Sequence, residues 1–198
     1  MLFRSPILNR DGVIAIENGR HPVIERILTT EPFVPNDCAM SPDASFHLIT
    51  GPNMAGKSTY LRQNALLLIM AQAGSFLPAS RMEFAPVDKV FSRVGASDNL
   101  SAGESTFMTE MLETSYIIHN ATKDSFIVLD EIGRGTSTYD GLSLAWAISE
   151  HILTHIGAKT MFATHYHELT ELSDVYTGIS NYNIIVKERS EERRVGKE

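Results

Sequence analysis

The chain has 198 residues, 43% hydrophobic and 21% charged, enough for one domain with a core and too short for two comfortable ones. Seventeen basic against 24 acidic residues give a formal charge of −7, which excludes a surface that as a whole attracts a phosphate backbone. The longest apolar run, Ala65 to Ala73, falls well short of the roughly 20 residues a membrane span needs, and no secretory pattern opens the chain. The single cysteine, Cys38, cannot close an internal disulfide, and no Cys/His cluster has zinc-ligand spacing, so a soluble, cytoplasmic protein is expected.

Leu2-Phe3-Arg4-Ser5 and the charge-dense end Arg189 to Glu198 (RSEERRVGKE) resemble the translation of a common sequencing adapter. Residues 1–5 and 189–198 are therefore read as non-native, with a solvated natural tail as the alternative, and one domain is expected over 6–188, cut off before its natural C-terminal end. The opening third reads as short strands and turns: Val13-Ile14-Ala15-Ile16 is apolar, Gly19 and Pro22 punctuate, and Pro32 and Pro35 flank Phe33. A β-prone run, Phe46 to Thr50, stops at Gly51. Helix formers then run from Lys57 to about Ala73, until Gly74 and Pro78 break them.

A second helix is expected from near Gly103 to residue 120, with Phe107, Met108, Met111, Leu112, Tyr116 and Ile117 as its apolar face. Phe126 to Leu129 is a continuous apolar run, as in a strand buried on both faces of a parallel sheet. Leu142 to Leu153 is helical, with Leu142, Ala145, Ile148 and Ile152 on one stripe, and Lys159 to Ala163 is a further apolar strand. Ile184-Ile185-Val186 reads as an incoming strand. Strands alternating with helices predict an α/β fold, a layered sheet with flanking helices.

Gly51-Pro52-Asn53-Met54-Ala55-Gly56-Lys57-Ser58 fits GxxxxGK[ST] between a predicted strand and a predicted helix, the context that a phosphate loop requires. Backbone N–H groups curl round phosphate oxygens, Lys57 offsets the β/γ charge, and the Ser58 hydroxyl can ligate Mg2+. Asp130 and Glu131 end the apolar strand where a P-loop ATPase needs one carboxylate for the metal shell and a second to polarise water. Taken as a pair alone, they are equally the start of a solvated loop. Asn99 to Thr106 opens a helix and can form a second anion site, although Ser and Gly are also ordinary cap residues. Gly133 to Gly141 is similarly small and polar. His165, at the end of the third strand, suits a γ-phosphate sensor, although a histidine by itself is more often a hydrogen-bonded structural residue.

GPNMAGKSTYLRQ (Gly51 to Gln63), STFMTEM (Ser105 to Met111), LDEIGRGTSTYDGLSLAWA (Leu129 to Ala147) and FATHYHEL (Phe162 to Leu169) resemble, in order, the ATPase signatures of the MutS family of DNA mismatch repair proteins. GRHPVIE (Gly19 to Glu25) and EPFVPND (Glu31 to Asp37) resemble the segments ahead of that family's phosphate loop. The resemblance implies a P-loop NTPase of the ABC ATPase class that takes ATP and Mg2+ in two sites formed across a homodimer. It implies that Gly51 to Ser58 with Thr59 bind the nucleotide, Phe33 stacks on adenine, Ser58 and Asp130 serve the metal, and Glu131 orients water. Ser105 would reach the γ-phosphate bound by the opposite subunit, and His165 would report its presence. Glu104 stands where many relatives carry a basic or another polar residue. Mismatched DNA would be held by domains absent from this chain, and a MutL-type repair partner is implied.

Two other readings compete. A nucleotide-dependent clamp or scaffold with little turnover has no need of a water-orienting acid, which Glu131 supplies. A transporter ATPase would carry a signature closer to LSGGQ, followed within a few residues by the Asp-Glu strand, and the stretch from Gly103 to Leu129 is too long for that.

Overall fold

The computed structural model describes residues 3–29, 32–52, 55–94 and 106–184. In chain order these form β1 (Ile7–Leu8), β2 (Ile14–Gly19), α1 (Ile24–Ile27), β3 (Asn36–Met40), β4 (Ala44–Thr50), α2 (Lys57–Gln72), β5 (Arg81–Phe84) and β6 (Val90–Arg93). There follow α3 (Thr106–Asn120), β7 (Phe126–Asp130), α4 (Thr138–His151), β8 (Lys159–Ala163), α5 (Leu172–Val175) and β9 (Gly178–Asn183).

The strands form two sheets, a four-stranded one ordered β1-β5-β2-β3 and a five-stranded one ordered β6-β7-β8-β4-β9. Every pairing in the five-stranded sheet is parallel. Parallel strands need crossovers, and the crossover helices cover both faces, so the central strands read as unbroken apolar runs. Side-chain alternation then divides each strand between two cores. Phe126 and Val128 of β7, Ile49 of β4 and Met161 of β8 join Leu61, Leu67 and Leu68 of α2 and the small sheet's Ile14, Ile16 and Met40. Ile127 and Leu129, Phe46 and Leu48, and Phe162 point the other way, against Ile117 of α3 and Ala145 and Ile148 of α4. Each fully buried side chain of this size contributes about 1.5–3 kcal/mol.

The strands over Phe46–Thr50, Phe126–Leu129 and Lys159–Ala163 and the helix from Lys57 stand where the sequence suggests. Three features differ. The apolar face expected of α3 holds in part: Ile117 is buried and Met111 packs against the core, with Glu110 and Thr114 buried beside them, whereas Met108, Leu112 and Tyr116 are exposed. A buried ion pair between Arg93 and Glu110 lies on the buried side of the helix, beside Ile117. The last strand among the described residues is Gly178–Asn183, whose backbone pairs with β4 through the polar run Ser180 to Asn183, while Ile185 and Val186 of the expected incoming strand lie outside the described residues. Helix α4 begins at Thr138, four residues before the apolar stripe, since Ser137 Oγ caps it by accepting from Asp140 N. β5 and β6 carry too little apolar periodicity to be read in advance.

Candidate functional site

All five parallel strands run in one direction, and the loops at their carboxyl ends gather on one edge, where α/β sheets form ligand crevices. β4 delivers Gly51, β7 delivers Asp130 and Glu131, and β8, lying between them, delivers Thr164 and His165.

The turn from β4 into α2 is built for close backbone approach. Gly56 caps α2 in a left-handed conformation (φ 92°) that L side chains rarely adopt, and it leaves the helix N-terminus open. Lys57 is buried, and its Nζ donates to Gly51 O (2.8 Å) and Pro52 O (2.9 Å). The ammonium is thus folded back onto the loop that carries it, with its charge against carbonyl dipoles. Tyr60 Oη donates to Asp37 O (2.8 Å), which ties this helix to the start of β3, a few residues after the half-buried Phe33.

Asp130 is buried, and its Oδ1 has no hydrogen-bond partner. Burial raises its carboxyl above the ordinary value, the Ser58 hydroxyl opposes that rise by hydrogen bonding, the Glu131 charge adds to it, and Arg62 and Lys57 counter it. A carboxylate taken out of water with one oxygen orphaned, beside a hydroxyl, fits a hard divalent cation such as Mg2+. Glu131 takes a left-handed backbone (φ 52°), a conformation that costs a non-glycine residue about 1–2 kcal/mol. It is held there by Glu131 N donating to Ala163 O (2.9 Å) and by Arg134 Nη1 at 2.9 Å from its Oε2. Strain kept at a strand end beside an orphaned acid is the pattern of a functional position.

His165 is exposed and its ring lies 4.1 Å from that of Tyr166. An open cavity of about 390 Å³ is lined by Gly51, Pro52, His165, His167 and Asn183. The phosphate-loop turn and the histidine therefore face one space. Below it, Thr50 Oγ1 donates to Tyr182 O (3.2 Å) and Ile184 N donates to Thr50 O (2.9 Å), which seats β9 against the turn.

A family model described as MutS domain V matches residues 47–197. The chain belongs to the MutS domain V family. The match begins within β4 and takes in every later described element, together with residues 189–197 of the charged end. The DNA mismatch repair protein MutS of Chlorobium phaeovibrioides is 59% identical over 190 residues, 96% of this chain and 22% of the relative. The MutS of Lachnoclostridium phytofermentans is 56% identical over 193 residues (96% and 21%), and that of Rhodopirellula baltica 57% over 188 residues (94% and 21%). The chain spans about a fifth of the length of these curated relatives.

Within MutS domain V as folded here, Lys57, Ser58, Asp130 and Glu131 come together, with His165 across the same crevice from the turn. Gly51, Pro52, Ala55, Gly56 and Thr59 form the turn and the first helical residues, while Asn53, Met54 and Ser105 lie outside the described residues. Four residues escaped the sequence reading. Arg62, on the second turn of α2 and four residues from Ser58 as helical neighbours are, lies near enough for its charge to oppose the rise of the Asp130 carboxyl. His167 and Asn183 line the cavity, and Glu110 bonds to the Gly133 backbone (2.6 Å). The helical spacing of Arg62 was a usable signal; the others depend on contacts across the fold. Among the described residues, no helix is long and apolar enough to cross a membrane, and no group of three His, Cys, Asp or Glu could hold a metal.

Proposed function

We propose that this chain is the Mg-ATP-binding and hydrolysing part of a MutS-type DNA mismatch repair protein, an ABC-class ATPase whose nucleotide state switches DNA recognition elsewhere in a longer protein. The observation that carries the reading is the convergence of Lys57, Ser58 and the orphaned Asp130 carboxylate at the carboxyl edge of a parallel sheet. Support for the ABC class comes from β8 lying between the strand that precedes the phosphate loop and the strand that ends in Asp130.

In this reading, Lys57 exchanges the Gly51 and Pro52 carbonyls for phosphate oxygens, and the N–H groups from Gly51 to Thr59 with the α2 dipole take the remaining charge. Ser58 and Asp130 hold the Mg2+, which when bound neutralises charge developing on the phosphates. Glu131, on its strained backbone, accepts a hydrogen bond from the attacking water, and His165 contacts the γ-phosphate across the cavity. Phe33 stacks on adenine. Ser105 completes the site of the opposite subunit in a homodimer. Mismatched DNA binds domains outside this chain, a MutL-type partner responds to the ATP-bound state, and the protein works in the cytoplasm. The domain itself is assigned to residues 6–188.

The test is equilibrium binding of a fluorescent ATP analogue with Mg2+. Lys57→Ala removes the one ammonium at the turn and is expected to weaken binding by at least about tenfold, the effect of a charged hydrogen bond of about 1.5–3 kcal/mol. Unchanged affinity would refute the site.

A further inference from the structure

The loop that follows Glu131 is gripped from both sides at a single residue. Glu110, one turn into α3, is buried, and its Oε1 accepts from Gly133 N at 2.6 Å. The carbonyl of Gly133 accepts from Tyr166 Oη at 3.1 Å, and Tyr166 is the buried neighbour of His165, against whose ring it lies. The other carboxylate oxygen of Glu110 faces Arg93 Nη2 at 3.4 Å, and Arg93 Nε lies 3.1 Å from Glu113 Oε2. Gly133 has no slack to absorb a shift: its φ is +88°, and a Cβ there would meet the Gly141 backbone at 2.7 Å. On Gly141, a Cβ would collide with Tyr166 Oη and Gly133 O.

A buried ion pair is a poor way to gain stability, because desolvation offsets most of its attraction. What Arg93 and Glu110 do achieve is to fix α3 in rotation and depth, and to spend the second carboxylate oxygen on one backbone N–H. That backbone belongs to the residue two positions after Glu131, whose strained conformation depends on how its loop is held. We propose that Glu110 and Tyr166 are positioning residues, a clamp on Gly133 through which the placement of α3 and of the His165 segment sets the aim of the Glu131 carboxylate. The inference rests on the ATPase reading above. It joins α3 and the neighbour of the γ-phosphate-facing histidine at one residue, Gly133, two positions after Glu131.

Tyr166→Phe is the decisive variant, since it removes one hydroxyl and leaves the ring, its burial and its contact with His165. In the full-length protein, kcat for ATP hydrolysis is expected to fall about 2- to 10-fold, the effect of one buried hydrogen bond, while KM for ATP stays within about twofold because binding contacts are untouched. Glu110→Ala is expected to lower kcat further, and Glu110→Gln, which retains an acceptor oxygen for Gly133 N–H, to recover part of that loss. Because both groups act through one residue, on the two peptide groups that flank the Gly133 Cα, the Tyr166→Phe/Glu110→Ala double variant should be no slower than the slower single variant. Parental kcat in Tyr166→Phe, or losses that multiply fully in the double variant, would overturn the clamp.

Amide hydrogen exchange over residues 131–137 supplies a readout independent of turnover: the clamp requires faster exchange in both Tyr166→Phe and Glu110→Ala. Unchanged exchange overturns the clamp even in an active enzyme. An absence of ATP turnover in the parent, with exchange responding as expected, would instead overturn the hydrolysis reading and leave the clamp standing.

Discussion

Replacing Asp130 with asparagine should stabilise the nucleotide-free protein and at the same time remove its response to Mg-ATP. The side chain is buried, Oδ1 has no partner, and burial is the largest cause of the upward shift of its carboxyl. A buried charged acceptor left unsatisfied costs about 1–3 kcal/mol, and here the Ser58 hydroxyl, Arg62 and Lys57 offset part of that, so the lower end, about 1 kcal/mol, is expected. Asp130→Asn keeps the shape and removes the buried charge. For a domain of this size that gain is a rise of about 2–4 °C in Tm at neutral pH.

The sign with pH follows from the direction of the shift. A carboxyl whose folded pKa is raised favours the folded state only while protonated, so the parent loses that contribution as pH climbs through the raised value. The variant's advantage should therefore vanish below the unfolded value of 3.8 and grow towards neutrality. With nucleotide at 100 times its Kd the parent should gain about 2.7 kcal/mol, and Asp130→Asn much less, because it lacks the anionic ligand for the metal. Differential scanning calorimetry at several pH values, with and without Mg-ATP, reads both halves. A variant less stable than the parent without nucleotide would refute the orphaned-carboxylate argument, and an equal Mg-ATP shift in both proteins would refute the metal assignment.

Two further outcomes follow from other parts of the molecule. His47, buried in β4, has its pKa pushed down to about 4 by burial, so the unfolded chain takes up a proton first as pH falls below 6.5. Stability should drop between pH 6.5 and about 4 at up to roughly 1.4 kcal/mol per pH unit, and urea unfolding of His47→Leu should show a shallower acid limb; an identical limb would contradict the assignment. If Ser105 serves the opposite subunit, mixing Lys57→Ala subunits with Ser105→Ala subunits should create one intact site per mixed dimer. Turnover above that of either mutant alone is expected, and no recovery would rule out the trans arrangement.

Local signals carried much of this fold. The turn between β4 and α2 was legible because glycine spacing and the switch from alternation to helix formers are properties of contiguous residues. Asp130 and Glu131 were legible because a doubly buried strand is unbroken apolar sequence and its polar end is conspicuous. What failed was long-range. On α3 the buried side holds Glu110, paired with Arg93 seventeen positions before it, as well as Ile117, while Met108, Leu112 and Tyr116 of the expected stripe are exposed. The edge strand Gly178–Asn183 is mostly polar, and only its pairing with β4 identifies it. Likewise His167 and Asn183 meet at the cavity through two different strand ends, which no spacing rule announces.

The central claim, that Mg-ATP is hydrolysed at the carboxyl edge of the parallel sheet by a water held on Glu131, is tested most directly by steady-state ATP hydrolysis of Glu131→Gln beside the parent, in the full-length protein with nucleotide binding measured in parallel. The substitution preserves size and hydrogen-bonding capacity but not the charge that polarises water. The account predicts retained ATP binding with turnover lowered by about 10² to 10⁴; equal turnover by the two proteins would contradict it.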